Sequence, residues 1–309
     1  MNSNVLRWSF LYLETKLNQK VKRRTFIGST VAASLGTLTR AEAFPNVNFS
    51  QKSFELKNNI HHSACRWCYK DFPLAELLQY FNEIGIKAMD LVGPEDWPLL
   101  NKYNIQASMC WGAELGLTDG WCDTKFHEQL IKNYTEMIPK VAEAGYTNLI
   151  CFSGNRNGMD DIIGLQNCAD GLKKIIPLAE RHGVVLQMEL LNSKVDHIDY
   201  MCDHTLWGVA LCKKLNSSHF KLLYDIYHMQ IMEGDIIRNI QEYHPYIGHY
   251  HTGGNPGRHE IDDTQELFYP AIMKAILKTG YKGYVAQEFV PSWDDKIAAL
   301  KQGITICDV

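Results

Sequence analysis

The chain has 309 residues, of which 46% are hydrophobic and 21% are charged, and its formal net charge is −4. This composition is typical of a globular protein with a full hydrophobic core, so the chain is not too polar to fold. Residues 1–43 contain seven Lys/Arg and two Asp/Glu, a charge of +5, so residues 44–309 carry −9. An acidic body argues against a protein that tracks the phosphate backbone of nucleic acid.

The N-terminal segment has the order of an export signal. Residues 22–28 are basic and contain paired arginines, an apolar run of small residues follows over 26–38, and 41–43 fit a small-residue cleavage site. We therefore predict a twin-arginine-type signal over 1–43 that is removed, and a periplasmic or otherwise exported mature protein over 44–309. The alternative is a disordered basic tail. The apolar run is too short for a comfortable membrane anchor, and no later run is long enough to span a bilayer.

The nine cysteines all follow residue 43, and their number is odd and their spacing irregular. This pattern does not fit a disulfide framework. Cys65 and Cys68 form a single CxxC pair with no second pair, which is a weak indication of a zinc or redox site. Cys110 and Cys151 lie inside apolar strand-like runs, where a thiol is simply a small buried group.

After residue 54, a strand-like run followed by a helix-like pattern recurs eight times. The predicted strands span 60–65, 87–92, 105–111, 148–153, 184–189, 220–225, 247–251 and 283–288. The helices that follow them span 74–85, 95–104, 125–145, 160–183, 204–216, 234–243, 265–280 and 294–302. Four helices end at a glycine, the residue that favours a left-handed C-cap: Gly85, Gly145, Gly183 and Gly280.

Strands that alternate with helices imply a parallel sheet, and eight repeats in about 250 residues imply a closed (β/α)₈ barrel. We predict one barrel domain over 44–309. The competing fold is an open doubly wound sheet, which usually has a glycine-rich phosphate-binding turn after its first strand. Residues 58–68 contain no such turn.

Four consecutive predicted strands each end in a side chain that can bind a metal ion: Glu189, Asp225, His251 and Glu288. Their separations of 36, 26 and 37 residues are each about one strand–helix unit. The carboxyl ends of barrel strands meet at one mouth, so we expect the four side chains to converge. Three carboxylates and one imidazole suit one divalent ion, Mn²⁺, Mg²⁺ or Co²⁺. The alternative for each residue is a strand-end polar group bonded to a neighbouring loop.

The sequence resembles the hydroxypyruvate isomerase family within the xylose-isomerase-like TIM-barrel superfamily. The matching segments are MEL at 188–190, LYDIYHMQ at 223–230, GHYH at 248–251, PGRHE at 256–260, YPA at 269–271 and QEFVP at 287–291. The strand-end carboxylates are shared across the superfamily, including ketose 3-epimerases, whereas the PGRHE loop is more selective. Many hydroxypyruvate isomerases have a glutamine at the position of His251, and the epimerases have a histidine.

The resemblance implies a metal-dependent isomerase that works through an enediolate. The ion would bind the carbonyl and hydroxyl oxygens of the substrate, and two carboxylates would exchange protons with carbon. By resemblance, Glu189 and Glu288 are these catalytic groups and also metal ligands, whereas Asp225 and His251 are ligands only. The predicted substrate-binding residues are His228, Arg258, Asn192 and His197. Arg258 would grip a substrate carboxylate; the alternative is a surface arginine paired with Glu260 or Asp262.

Other residues are weaker candidates for the mouth of the barrel. Trp67 and Trp111 end two predicted strands and would form an apolar wall, or merely pack at the rim. His62 and Glu114 are further candidates for facing the mouth, and Asn155 or Arg156 is a candidate for shaping the pocket.

Four other functions compete with the isomerase. The protein could instead be a ketose 3-epimerase, a metal-dependent lyase, a metal-dependent hydrolase, or a periplasmic sugar-binding module without catalysis. The expected partner is a small sugar or hydroxy acid, with no nucleic acid and no membrane span, in a possible homo-oligomer.

Overall fold

Residues 55–309 are described here from a computed structural model of the protein. The predicted export signal and the start of the predicted barrel domain lie outside these residues. Eight strands are present in the described part: β1 His61–Cys65, β2 Ala88–Asp90, β3 Gln106–Ala107, β4 Asn148–Cys151, β5 Val185–Glu189, β6 Phe220–Asp225, β7 Ile247–Thr252 and β8 Tyr284–Gln287. Every pairing is parallel, in the order β3-β2-β1-β8-β7-β6-β5-β4.

The sheet closes through residues that continue β3. The Cys110 N–H donates to Asn148 O at 2.9 Å, and Ile150 N–H donates to Cys110 O at 3.0 Å. The Asn148 side chain adds a bond from Nδ2 to Ser108 O at 2.9 Å. These bonds join β3 to β4, the two ends of the strand order. The predicted closed (β/α)₈ barrel is therefore confirmed, and an open doubly wound sheet is excluded.

The helices that cover the barrel are α1 Leu74–Ile84, α2 Trp97–Lys102, α3 His127–Glu143, α4 Asp161–Leu172, α5 Ile176–His182, α6 Thr205–Leu215, α7 Ile226–Met232, α8 Ile236–Tyr243, α9 Tyr269–Lys278 and α10 Lys296–Cys307. Short 3₁₀ turns occupy Arg66–Tyr69, Thr124–Phe126 and His244–Tyr246. In the described part of the chain, no helix has both the length and the hydrophobicity of a membrane span.

Two helices differ from the predicted bounds because of prolines. The single helix predicted over 160–183 is two helices, since Pro177 lies in the first turn of α5. A proline there has no N–H to continue the preceding helix, but it fits a helix start. Pro270 likewise lies in the first turn of α9, which begins at Tyr269 rather than at the predicted residue 265.

The predicted glycine caps are in the left-handed conformation, with φ values of +92° at Gly85, +82° at Gly145, +67° at Gly183 and +81° at Gly280. At Gly85 the cap N–H donates to Phe81 O at 2.9 Å, which satisfies a carbonyl of the last turn of α1. The chain can then turn directly into the next strand, so each strand returns to the same end of the barrel.

The nine cysteines are all buried and none is in a disulfide. The barrel interior also contains buried polar side chains among the apolar ones, including Asp90, Gln187 and His249. Asp90 lies 2.9 Å from both His249 and His251, and His251 is one of the four predicted metal-binding residues.

Candidate active site

The four predicted metal-binding side chains meet at the C-terminal end of the barrel. Glu189 and Asp225 end β5 and β6, His251 lies next to the end of β7, and Glu288 directly follows β8. Each offers a ligand atom, and these atoms all lie within 4.8 Å of one another. All four side chains are buried. Parallel strands in matched register bring residues from distant sequence positions to one layer of the barrel.

His251 points one ring nitrogen at all three carboxylates. Its Nδ1 lies 2.6 Å from Glu288 Oε2, 3.3 Å from Glu189 Oε1 and 3.9 Å from Asp225 Oδ2. The other nitrogen, Nε2, lies 2.9 Å from Asp90 Oδ1 on the opposite side of the ring. The imidazole thus presents Nδ1 to the ligand cluster.

The carboxylates of the cluster have strongly perturbed acidities. Burial raises the pKa of Asp225 to about 8, with the Glu288 and Glu189 carboxylates adding to the effect. Burial and the Glu288 carboxylate also raise the pKa of Glu189. Burial alone would raise the pKa of Glu288, but Arg258 and His251 hold that pKa well below its usual range. Three carboxylates this close repel one another unless a cation is bound among them.

One oxygen of the cluster has no hydrogen bond. Glu189 Oε1 is buried and lies 3.3 Å from His251 Nδ1, but the pair lacks hydrogen-bond geometry, and this oxygen has no other partner in the described part of the chain. Buried carboxylate oxygens are normally satisfied. An unsatisfied oxygen that faces two more carboxylates and an imidazole nitrogen fits a metal ligand. Oxygen-rich ligand sets with one imidazole suit Mg²⁺ and Mn²⁺.

Arg258 reaches into the cluster from the loop after β7. Its Nη2 donates to Glu288 Oε2 at 2.5 Å and to Asp225 Oδ2 at 3.2 Å. The guanidinium lies over the rings of Trp67 and Tyr227, 5.4 Å from each centroid. In this structure Arg258 therefore neutralises two predicted metal ligands, and it presents no free fork to a substrate carboxylate.

The alternative of a surface Arg258 paired with Glu260 or Asp262 is wrong. The Arg258 side chain is only 16% exposed. Glu260 instead accepts hydrogen bonds from Ser292 Oγ at 2.9 Å and from Trp293 N at 2.8 Å. Glu260 thereby holds the loop that follows Glu288.

His228 lies at the start of α7, three residues after the end of β6. Its backbone N–H donates to Asp225 Oδ1 at 3.0 Å, which makes Asp225 the N-cap of α7. The predicted strand-end aspartate is therefore held by the helix behind it. Burial and Arg258 lower the pKa of His228 well below its usual range, so the ring is neutral.

The tautomer of His228 follows from its neighbours. Its Nδ1 lies 2.6 Å from Asn192 Nδ2, an amide donor, so Nδ1 accepts and Nε2 carries the proton. Nε2 is buried, lies 3.7 Å from Asp225 Oδ2, and has no hydrogen-bond partner in the described chain. His228 thus aims a donor at the ligand cluster from behind Asp225.

Asn192 organises the loop after β5. Its Oδ1 accepts from the N–H groups of Val195 and Asp196 at 3.0 and 2.9 Å, and its Nδ2 donates to Asp196 Oδ2 at 2.6 Å. Asn192 is fully buried and does not line the cavity. His197 does line it, and its ring lies 5.2 Å from the ring of His228. Of these two predicted substrate contacts, only His197 reaches the cavity.

The cluster opens into a cavity of about 350 Å³. Most of its wall is apolar and comprises Trp67, Leu91, Trp111, Leu117, Ile150, Phe152 and Leu191. Its polar lining is Glu114, Glu189, His197, Arg258 and Glu288. Trp67 also contacts the cluster, because its Nε1 donates to Glu288 Oε1 at 2.7 Å. Trp111 is 42% exposed and forms part of the entrance.

Some of the weaker candidates lie at the cavity and others do not. Glu114 lines the cavity, as expected. The expectation that His62 faces the mouth is wrong: its Nε2 lies 3.5 Å from Asp308 near the chain terminus. His62 is the second residue of β1, so it lies toward the opposite end of the barrel. Arg156 pairs with Asp203 at 3.0 Å, and neither Arg156 nor Asn155 borders the cavity.

Sequence reasoning missed Asp90, which ends β2 and is fully buried. The predicted strand ran on to residue 92, which hid a strand-end carboxylate of the same kind as Asp225. A predicted strand that ended at residue 90 would have identified Asp90 as a strand-end carboxylate.

Comparison with known proteins identifies the family to which the fold belongs. A family model described as xylose isomerase-like TIM barrel matches residues 74–306, most of the chain. The chain belongs to the xylose isomerase-like TIM barrel family.

Curated relatives match over shorter segments. The 2-oxo-tetronate isomerase of Cupriavidus necator is 34% identical over 113 residues, which cover 37% of this chain and 43% of the relative. The hydroxypyruvate isomerase of Escherichia coli is 33% identical over 105 residues, which cover 33% and 40%. The chain spans less than half the length of these relatives. The predicted resemblance to hydroxypyruvate isomerases is nevertheless confirmed at the level of the family.

Solved structures match over nearly their whole length. The 3-keto-D-glucoside 4-epimerase of E. coli has a TM-score of 0.67 at 18% identity, covering 80% of this chain and 98% of that one. The D-psicose 3-epimerase of Clostridium cellulolyticum has a TM-score of 0.65 at 16% identity, covering 81% and 100%. At these identities the likeness concerns the fold alone.

Proposed function

We propose that the protein is a divalent-metal-dependent isomerase that moves a proton beside the carbonyl of a small, sugar-like substrate. The observation that supports this most is the convergence of three carboxylates and one imidazole within 4.8 Å, buried at the floor of a cavity. The isomerase names of the curated relatives support the same reaction class. In a barrel of this kind, the mouth at the strand ends is where active sites lie.

The residues that would hold the ion are Glu189, Asp225, His251 and Glu288. When bound, the ion supplies electrostatic stabilisation of the negative charge that develops on the substrate oxygens. Glu189 suits the proton acceptor, because it borders the cavity and burial raises its pKa. Glu288 suits the second proton-transfer group, since it also borders the cavity.

The surroundings of Glu288 fix its orientation. Trp67 Nε1 holds Oε1 at 2.7 Å, whereas Arg258 Nη2 and His251 Nδ1 hold Oε2 at 2.5 and 2.6 Å. A carboxylate gripped at both oxygens loses little orientational freedom during proton transfer. His197 is placed to contact substrate oxygens from the cavity wall, and the backbone N–H of His228 holds Asp225 Oδ1 from behind.

A second candidate is epimerisation or isomerisation of a neutral ketose rather than of a hydroxy acid. Among the described residues that line the cavity, Arg258 is the only lysine or arginine, and it already pairs with Glu288 and Asp225. A substrate carboxylate therefore has no free cationic partner at the floor. The apolar wall and the volume of about 350 Å³ exceed what a three-carbon acid needs, and they favour a longer, uncharged sugar.

The test is solvent exchange into candidate substrates. The purified protein, stripped of metal and reloaded with Mn²⁺ or Mg²⁺, is incubated in deuterated water with neutral ketoses and with hydroxypyruvate. We expect metal-dependent deuterium incorporation beside the carbonyl, detected by NMR, and its loss in Glu288→Gln. Glu136→Gln, the same change on the exposed face of α3, is the control. Exchange that survives Glu288→Gln, or that ignores the metal, would contradict the proposal.

The export of the mature chain and its oligomeric state stay predictions. Fractionation of expressing cells tests export, because a shortened chain in the periplasmic fraction is expected. Recovery of only the full-length chain from the cytoplasm would refute it.

A further inference from the structure

We propose that Asp90 is a positioning residue that fixes the ring orientation and tautomer of His251, so that Nδ1 is directed at the three carboxylates. The inference rests on the proposed function only in taking a divalent ion as the occupant of the cluster. Asp90 itself is outside the set of side chains that meet at the cluster, and nothing in the sequence pattern assigned it a role.

Asp90 reaches His251 across the interior of the barrel. It ends β2, which is separated from β7 by β1 and β8 in the sheet. His251 Nε2 nevertheless lies 2.9 Å from Asp90 Oδ1, and both side chains are completely buried. This contact joins residues 161 positions apart in the chain.

The Asp90 carboxylate is itself held on its other oxygen. Ser108 Oγ donates to Oδ2 at 2.6 Å, and His249 Nε2 lies 2.9 Å from the same oxygen. A carboxylate anchored in this way has a fixed direction for its remaining oxygen. Oδ1 is thus aimed at the ring of His251 and does not turn away.

This contact decides which nitrogen of His251 is left for an ion. An ionised carboxylate only accepts hydrogen bonds, so Nε2 carries the proton that it donates to Asp90. Nδ1 is the nitrogen that faces Glu288, Glu189 and Asp225, and its hydrogen bond to Glu288 Oε2 at 2.6 Å occupies the direction in which an ion would bind once that proton is released. Metal-binding histidines commonly donate their second N–H to a carboxylate, which sets the ring and strengthens the ligand.

A different reading is a second cation held by Cys65, Asp90 and His251, whose ligand atoms also lie within 4.8 Å of one another. That site would need the lone pair of Nε2, which is not available while Nε2 donates to Asp90. We therefore assign Asp90 to orientation, and the number of ions bound distinguishes the two readings.

The experiment measures Mn²⁺ binding to the full chain by titration calorimetry and by electron paramagnetic resonance. For Asp90→Asn we expect one ion per chain, bound about 10- to 100-fold more weakly than in the unchanged protein, with an altered Mn²⁺ spectrum. Asp308→Asn is the matched control, because Asp308 is also a buried aspartate beside a buried histidine, His62, but away from the cluster. Its Mn²⁺ affinity should be unchanged.

A double-mutant cycle isolates the route through the imidazole. In a His251→Ala background there is no ring to orient, so adding Asp90→Asn should not weaken Mn²⁺ binding further. Equal weakening in both backgrounds would overturn the inference, because it would mean a general charge effect. Unchanged affinity in Asp90→Asn, or two ions per chain with one lost in that variant, would also overturn it. A wild-type chain that binds no Mn²⁺ would overturn both this inference and the metal-dependent function.

Discussion

Trp67 provides the sharpest single test of how the cluster is held. Trp67→Phe removes the indole N–H that donates to Glu288 Oε1 at 2.7 Å, but it keeps an aromatic ring under the Arg258 guanidinium. Trp67 is 38% exposed, so the change leaves the core intact. The expected effect is therefore on the orientation of Glu288 and not on folding.

The magnitude follows from the kind of hydrogen bond that is lost. Bonds to charged groups contribute about 1.5–3 kcal/mol, and the partial exposure of Trp67 places this one near the lower end. At about 1.4 kcal/mol per factor of ten, we expect kcat/KM to fall roughly tenfold. Most of the loss should be in kcat, because the bond positions a proton-transfer group.

The assay is steady-state kinetics of the metal-loaded enzyme on a substrate identified by deuterium exchange. Trp207→Phe is the matched control, since that indole donates to the backbone oxygen of Asp161 at 3.1 Å, away from the cluster. Activity should be retained there. If Trp67→Phe keeps full activity while Trp67→Ala loses it, the ring alone matters, and the role of the hydrogen bond is refuted.

Three further perturbations test other parts of the argument. Trp111→Ala should raise KM for a neutral six-carbon ketose several-fold and leave a three-carbon substrate unaffected; equal effects on both would contradict a role for Trp111 in holding the longer substrate. Gly120→Ala should lower the melting temperature strongly, because its Cβ would lie 2.3 Å from the Gly154 backbone nitrogen; an unchanged melting curve would disprove that close approach. Saturating Mn²⁺ at 100 times its Kd should stabilise the protein by about 2.7 kcal/mol, seen by calorimetry as a rise in melting temperature that a chelator reverses; no rise would count against the ion.

The hydrophobic patterns of the chain carry the architecture. The alternation of strand-like and helix-like hydrophobic patterns, with Gly85 and Gly183 at helix ends, depends only on residues close together in the chain. Such local patterns can be recognised from the sequence alone. They are sufficient to predict the eight strand–helix units and the closed barrel. Pro177 is also a local signal, because proline fits the first turn of a helix, but the periodicity alone predicts one continuous helix over 160–183.

The four strand-end side chains were also accessible from the sequence, because parallel strands of a barrel all deliver their last residues to one mouth. Counting one candidate per strand selected Glu189, Asp225, His251 and Glu288 without any knowledge of distances. The structure brings these four side chains together, and their chemical roles remain predictions.

Only the tertiary structure decided which partners these side chains have. Arg258 turned inward to two carboxylates, whereas His62 paired with a residue near the opposite end of the chain. Asp90 met His251 across the barrel over 161 residues. Contacts of this range depend on closure of the barrel, on which of two faces a strand residue occupies, and on burial of each charge. Those quantities are set by the whole fold, so no local pattern in the sequence records them.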